Sequence, residues 1–320
     1  MRINFETAAK LIKDNDNFLI LTHENPDGDT IGCAFAICRA LQLLEKKAKV
    51  ECFDKIPPMF EFIPESVEKQ DFEEEFIIAV DLATLELLGD EDYIEKYRNK
   101  INLCIDHHSS NTLFAEYTLL EAEPVAAAAA ETVLMLIGHL GVEIDEVIAN
   151  CIYVGISTDT GCFRYFNTTS RSLRMAADMI DCGCDSGNIN KIMFETKTKT
   201  YAALEKMALG TTEMHFGGKC AIITITREMF NESGSDDSEC HPITAKPRQI
   251  EGVLVGATIR EMKDGAFKIS VRTNPPVNAS EICAGMGGGG HMRAAGCELR
   301  CSYEEAKAIL LENIKKILEM

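Results

Sequence analysis

The sequence has no tryptophan, and its 32 lysines and arginines are outnumbered by 51 aspartates and glutamates, a formal charge of −19 over 320 residues. Scarce positive charge excludes a protein that grips long nucleic acid through a basic groove, where neutralising phosphates supplies much of the affinity. It does not exclude a small, highly charged substrate held in a pocket. The missing tryptophan removes one base-stacking platform, although tyrosine, phenylalanine and histidine stack as well. Long apolar runs are missing too: Phe18–Leu21, Phe76–Val80 and the alanine tract at 126–130 fall far short of the ~20 residues a membrane helix requires. Residues 1–17 carry charges where a signal peptide is apolar, so export is not expected. The 13 cysteines include no Cys-x-x-Cys pair and no regular framework, which reads as reduced thiols serving as small buried hydrophobes. Neither a phosphate-binding Walker loop nor a Ser-His-Asp nucleophile motif is evident. These absences lead us to expect a soluble, cytoplasmic protein with no membrane partner and no surface for long nucleic acid.

What is present suffices for a sizeable core. At about 100–200 residues per domain there is room for two domains, and 46% of the residues are hydrophobic. Residues 1–190 hold 15 Lys+Arg and 34 Asp+Glu, whereas 191–320 hold 17 of each, so the whole negative excess lies in the first part. The run at 68–75 (EKQDFEEE) accounts for some of it as a solvated face. An amphipathic segment at 4–13 precedes a strand-like run at 18–22 (FLILT), a helix-periodic stretch at 31–46, and strand-like runs at 48–53, 76–80 and 101–105. Short continuous apolar runs are the pattern of parallel strands covered by helices on both faces. Helical stretches follow at 126–138, 145–157, 170–181 and 199–209, the first of them opening on alanines, the strongest helix formers. Then 219–226, 252–260 and 267–272 read as strands, 231–239 as a polar loop, and 302–320 as an amphipathic helix. The expected fold class is α/β: an N-terminal domain, 1–190, with a mostly parallel sheet flanked by helices; a linker helix, 191–212; and a smaller C-terminal α+β domain, 213–320.

Three of the apolar strands end in residues that bind metals. The first runs into His23-Glu24-Asn25-Pro26-Asp27-Gly28-Asp29, the second ends at Asp81, and the third at Asp106-His107-His108. In open α/β sheets the ligand crevice lies outside the carboxyl ends of the strands, so one rim collects these groups. A fourth piece, Ser157-Thr158-Asp159-Thr160-Gly161, follows an apolar helix. A single strand-end aspartate reads as a helix cap or turn; three strand ends carrying such groups make coincidence a poor explanation. Gly28 separates Asp27 from Asp29 without a crowding Cβ, so the two carboxylates can face different ions, and Asp81 is the natural bridge. The side chains of adjacent His107 and His108 diverge in an extended backbone, leaving one for metal and one for substrate, while Asp106 is placed to orient an imidazole. Mixed carboxylate and imidazole donors suit Mn²⁺ better than Mg²⁺, with Zn²⁺ or Fe²⁺ also compatible. Two ions about 3.5–4 Å apart generate a nucleophile and stabilise an in-line phosphoryl displacement. The residues point to two-metal hydrolysis of a phosphoester or phosphoanhydride.

In this order and spacing, His23-x-Asn25-Pro26-Asp27-x-Asp29, Asp81, Asp106-His107-His108 and the Asp159 segment, spread over about residues 20–165, resemble the DHH phosphoesterase superfamily. The resemblance implies that His23, Asp27 and Asp81 hold one metal and that Asp29, Asp81, His107 and Asp159 hold the other. It also implies that His108 contacts the scissile phosphate and protonates the leaving oxygen, with Asp81 and Asp106 completing the catalytic group.

A second feature is the glycine-rich segment at 285–296 (GMGGGGHMRAAG). A bare glycine run usually marks a flexible loop. Here it ends in His291 and Arg293 and follows Arg272 at a strand end; backbone N–H groups free of Cβ obstruction make an anion-binding concavity, and arginine adds forked donors. The segment resembles the GGGGH motif of the substrate-binding domain found with many DHH enzymes, over roughly 213–320 and more tightly over 252–296. Together the two halves resemble the group of nanoRNases and 3′-phosphoadenosine-5′-phosphate phosphatases. That resemblance implies Asn25, Arg248, Arg272, Asn278, Gly288, Gly289, Gly290, His291 and Arg293 as substrate-binding residues, and two divalent ions, Mn²⁺ fitting best. The substrate it implies is a short RNA or DNA oligonucleotide, a linear dinucleotide or a nucleotide bisphosphate. It leaves room for a homodimer. The run at 241–246 (HPITAK) departs from the Glu-Gly-type stretch of many relatives, which leaves base and length preference open. The competing readings are a manganese pyrophosphatase or exopolyphosphatase, a RecJ-like exonuclease, and a nucleotide sensor without catalysis. The run at 14–17 lacks the glycine and distal glutamate of a calcium loop. His139 and His215 stand alone, and Cys182-Gly183-Cys184 has no companion pair.

Overall fold

Successive residues of the first strands are all apolar, so a sheet built from them has to be covered on both faces. The computed structural model, which describes residues 1–121, 125–240 and 242–319, shows that covering. The chain divides into two units, Met1–Thr196 and Lys197–Met320. The first contains, in chain order, β1 (Arg2–Ile3), α1 (Phe5–Asp14), β2 (Phe18–Leu21), α2 (Gly28–Leu43), β3 (Ala48–Glu51), β4 (Phe76–Val80), α3 (Glu91–Tyr97), β5 (Leu103–Asp106), β6 (Tyr117–Leu120), α4 (Ala129–Leu140), α5 (Glu146–Asp159), α6 (Ser170–Asp181) and α7 (Ser186–Asn190). The strands pair in the order β1-β6-β5-β4-β2-β3, each pair parallel. Phe18 and Ile20 of β2, with Phe76, Ile78 and Val80 of β4, join α1, α2, α4 and α5 in the larger core; Leu19, Leu21, Ile77 and Ala79 join Tyr97 of α3 in a smaller one.

The carboxyl ends of β5, β4 and β2 are therefore neighbours. Above them α2 and α5 pack closely because Gly32 lies at their contact, where a Cβ would run into the Cys151 carbonyl. Strand β6 does not figure in the sequence reading. Its Thr118 is polar and fully buried, and pairing with β1 and β5 rather than composition makes it a strand.

The second unit contains α8 (Lys199–Gly210), β7 (Glu213–His215), β8 (Cys220–Ile225), α9 (Arg227–Ser233), β9 (Val255–Glu261), β10 (Phe267–Thr273), α10 (Ala279–Ala284), β11 (Gly289–His291), β12 (Ala294–Leu299) and α11 (Tyr303–Leu318). Its sheet runs β11-β12-β10-β9-β8-β7, and only β8 and β9 are parallel. Leu204 of α8 and Phe230 of α9 pack on one face with Ile223 and Ile225; α10 and α11 cover the other through Ile282, Leu310 and Ile314. Helix α8, expected as a linker, thus lies in the second unit, with Thr198 capping it by accepting from the Tyr201 N–H at 2.9 Å. The polar stretch expected as a loop from 231 instead begins inside α9. Thr226 caps that helix, Phe230 is buried, and Gly234 ends it in the left-handed region at φ +69. The glycine run is likewise no loose loop, since Gly289–His291 pairs antiparallel with β12. His241 lies outside the described residues. Among those described, no helix is long and apolar enough to cross a membrane.

Candidate metal centre

Each central strand delivers a side chain to the rim. β2 continues into His23, whose Nδ1–H donates to the Glu24 carbonyl at 2.7 Å, leaving Nε2 3.7 Å from both Asp27 Oδ1 and Asp81 Oδ2. Asp27 also caps α2, accepting from the N–H groups of Asp29 and Thr30 at 2.9 and 3.2 Å, so one residue serves both the helix and the site. At the end of β4, Asp81 takes a left-handed φ of +53 and donates its N–H to the Ile105 carbonyl at 2.9 Å. A non-glycine residue held there is a locally constrained position. β5 ends at fully buried Asp106, whose carboxylate accepts from the His107 N–H at 2.8 Å, His108 Nδ1 at 2.8 Å and the Asn111 amide at 2.7 Å. With both oxygens engaged, Asp106 orients His108.

His107 Nδ1–H donates to the Ala126 carbonyl at 3.0 Å, which leaves Nε2 3.5 Å from Asp81 Oδ1 and 3.5 Å from Asp159 Oδ2 at the end of α5. Asp29, in the first turn of α2, accepts from the N–H groups of Ala129 and Ala130 at 2.6 and 3.0 Å and from the Cys33 thiol at 3.5 Å. Three overlapping sets of ligand atoms result, each within 4.8 Å: His23, Asp27 and Asp81; Asp29, His107 and Asp159; and Asp81 with Asp106, His107 and His108.

Asp81 is 5% exposed, one oxygen facing His23 and the other His107, and its buried Oδ1 has no hydrogen-bond partner. An orphaned carboxylate oxygen is costly in the interior, and a divalent cation beside it satisfies that oxygen. Burial pushes Asp29, Asp81 and Asp159 up, and neighbouring carboxylates push each further. Burial works against protonated His23, but the adjacent Asp27 and Asp81 carboxylates outweigh it and raise the imidazole to about 10. The hydrogen bond to Asp106 raises His108 to about 9. Protons thus supply the positive charge that the carboxylates demand, and a cation would take their place. Oxygen and imidazole donors together fit a divalent transition metal.

In the second unit, burial and the charge of nearby Arg248 hold the Arg272 guanidinium below its ordinary value. Arg272 Nη1 donates to the Val271 carbonyl at 3.1 Å and Arg248 Nη1 to Asn274 Oδ1 at 3.4 Å, while Arg248 Nε is buried without a partner. Among the described residues no carboxylate pairs with either arginine. Other residues expected at the substrate have structural tasks. Asn278 caps α10, accepting from the Ser280 N–H at 3.0 Å and donating to Glu281 at 2.9 Å; Arg293 donates to the Val277 carbonyl at 2.7 Å. Gly288 packs where a Cβ would strike the Gly296 carbonyl and Cys297, Gly290 adopts φ +144, and both Gly289 and His291 are exposed in β11. Asn25 is exposed at φ +51 and its N–H donates to Asp54 at 2.8 Å.

Asn111 and the amides of Ala129 and Ala130 escaped the sequence reading. An asparagine after two serines reads as turn chemistry, and backbone donors leave no residue-type signal. His139 stacks on Phe5 with centroids 5.2 Å apart, and His215 lies 3.6 Å from Glu213.

The chain matches the DHH family, N-terminal domain, over residues 17–156 and the DHHA1 domain over residues 217–320. It is 32% identical, over 93% of its length and 89% of the other, to a Thermus thermophilus protein described as bifunctional oligoribonuclease and PAP phosphatase NrnA. An exopolyphosphatase-related protein from Bacteroides fragilis shares its fold at a TM-score of 0.87 and 23% identity, covering 98% of this chain and 95% of that one. RecJ from Thermus thermophilus, solved in complex with Mn²⁺, is similar at a TM-score of 0.56 and 15% identity, over 97% of this chain and 55% of that one.

Proposed function

The chain belongs to the DHH family, and on that premise we propose that it is a two-cation phosphoesterase of the cytoplasm. Its reaction is hydrolysis of short oligonucleotides, linear dinucleotides included, to mononucleotides, together with removal of the 3′-phosphate from 3′-phosphoadenosine 5′-phosphate. The observation that carries this reading is Asp81: buried, unpaired at Oδ1, and facing an imidazole of a different ligand set through each oxygen. His23, Asp27 and Asp81 would hold one cation; Asp29, Asp81, His107 and Asp159 would hold the second, with Mn²⁺ the best fit to these donors. Such cations lower the pKa of an attacking water and neutralise phosphoryl oxygens during in-line displacement.

The chain's own groups do the rest. Asp106 holds the Nδ1–H of His108, so Nε2 is the atom that meets substrate; the ring is 43% exposed, open to a phosphate oxygen. The hydrogen bond to Asp106 favours the protonated ring, so His108 can donate from Nε2 to the leaving oxygen. Arg248 and Arg272, which pair with no carboxylate among the described residues, offer guanidinium donors to a substrate phosphate. Asn25, Asn278, Gly289, Gly290, His291 and Arg293 are the further candidates, with Gly288, whose N–H is taken by the Cys283 carbonyl at 2.9 Å, shaping the backbone beside them.

The test is initial rates in Mn²⁺ on a 5′-phosphorylated dinucleotide, a pentanucleotide, 3′-phosphoadenosine 5′-phosphate and pyrophosphate. Release of mononucleotides or 5′-AMP is expected. Turnover of pyrophosphate alone would replace this reading by a pyrophosphatase, and binding of dinucleotide without turnover by a sensor.

A further inference from the structure

Asp29 differs from the other ligand candidates in being held at both oxygens by the backbone of another element, the Ala129 and Ala130 N–H groups that open α4. That helix has no side-chain cap of its own, because Ala128 occupies the N-cap position. Its first turn is anchored from outside. Glu131, fully buried, accepts from the Ser172 hydroxyl at 2.6 Å and lies 3.0 Å from Arg171 Nε. The other edge of the same guanidinium grips Glu121 with a fork of 2.7 and 2.6 Å. Glu121 directly follows β6 and Arg171 lies in the first turn of α6, so one side chain ties a strand end and two helices.

Buried ion clusters of this kind add little stability over apolar replacements, which directs attention to what this one holds in place. The tolerance at that point is small: a Cβ on Gly155 would lie 2.5 Å from Ala130 Cβ and 2.7 Å from Asp29 Oδ1. We infer that Arg171 is a positioning residue for the cation site, fixing through Glu131 the turn of α4 whose amides aim Asp29. The inference rests on the two-cation reading above.

The experiment is Mn²⁺ titration of the full-length protein by calorimetry, with melting of each metal-free variant as the measure of folding. Arg171→Met should weaken one of the two Mn²⁺ positions ~10–100-fold, the scale seen when a residue that orients a metal ligand is lost, and leave the other unchanged. Arg171→Lys, which keeps the charge without the fork, should recover part of that affinity. If Arg171→Met does not fold, the double variant Arg171→Met with Glu131→Gln, which removes the fully buried Glu131 charge along with its partner, carries the same test. A folded variant that binds both ions as the wild type does, even with a lowered melting temperature, overturns the inference and leaves the phosphoesterase reading standing. Wild-type protein that binds no Mn²⁺ overturns that reading and the inference with it.

Discussion

The two units gather charge of opposite sign, and in each the charge is left incomplete. In the first, Asp27, Asp29, Asp81 and Asp159 converge on two imidazoles and buried Asp81 Oδ1 has no partner. In the second, Arg248 and Arg272 lie together, and buried Arg248 Nε has none. For stability alone each cluster is a defect, since like charges repel and unpaired buried polar atoms lose their hydration. The defects call for ligands of opposite charge: the acidic cluster suits divalent cations, the basic one an anion.

Asp81→Asn should break the acidic cluster most severely. We expect a fall in kcat on the order of a thousandfold, matching the several kcal/mol that metal ions contribute to a phosphoryl transition state. The metal-free variant should melt no lower than the wild type, because one of the repelling carboxylates is gone. Initial rates and melting curves check this, and turnover retained at the wild-type level removes Asp81 from the proposed bridging role.

His108→Gln tests the proposed proton donor apart from the proposed metal ligands. A loss of ~10²–10⁴ in kcat is the usual range for a general acid, with Mn²⁺ affinity unchanged by calorimetry. Loss of Mn²⁺ binding instead would make His108 a ligand.

On the basic side, Arg272→Met should raise KM for a dinucleotide ~10–100-fold, the equivalent of one charged hydrogen-bonding group, with kcat little altered. A change confined to kcat would place Arg272 in the chemical step and erase the contrast between the clusters.

The smallest effect is on stability against pH. Asp29, Asp81 and Asp159 have folded-state values above the ordinary carboxylate range, up to about 7, and those of His23 and His108 lie above 6.5, at about 10 and about 9. Groups raised on folding contribute stability that is complete below their unfolded values and is lost as pH rises through the folded ones. Chelator-treated protein should therefore lose melting temperature as pH rises from about 5 to about 9. The increment added by Mn²⁺ should grow over the same range, because the ligands must shed protons to bind. A metal-free melting temperature that rises with pH would contradict the acidic cluster as described.

Much of the first unit was legible because its strands are buried on both faces: Phe18–Leu21 and Phe76–Val80 are short, continuous apolar runs, the pattern of such strands. The candidate cluster was legible because His and Asp carry their chemistry in the side chain itself. Strand β6 and helix α9 were less so. Thr118 is a strand residue through its neighbours, and α9 through a Thr226 cap and a single buried phenylalanine.

By itself the sequence determined which residues bear charge and imidazole, the order in which they arrive, and the apolar runs that bring three strand ends to one rim. Only the tertiary structure decided their roles. It spent one oxygen of Asp106 on orienting His108 and the other on the Asn111 amide, left Asp81 Oδ1 open, assigned Asn278 to a helix cap, and fixed Asp29 through amides more than 90 residues away in sequence. The physical reason is that residue type sets what a side chain can donate or accept, whereas the partners that satisfy it come from backbone and distant segments that no local pattern reports.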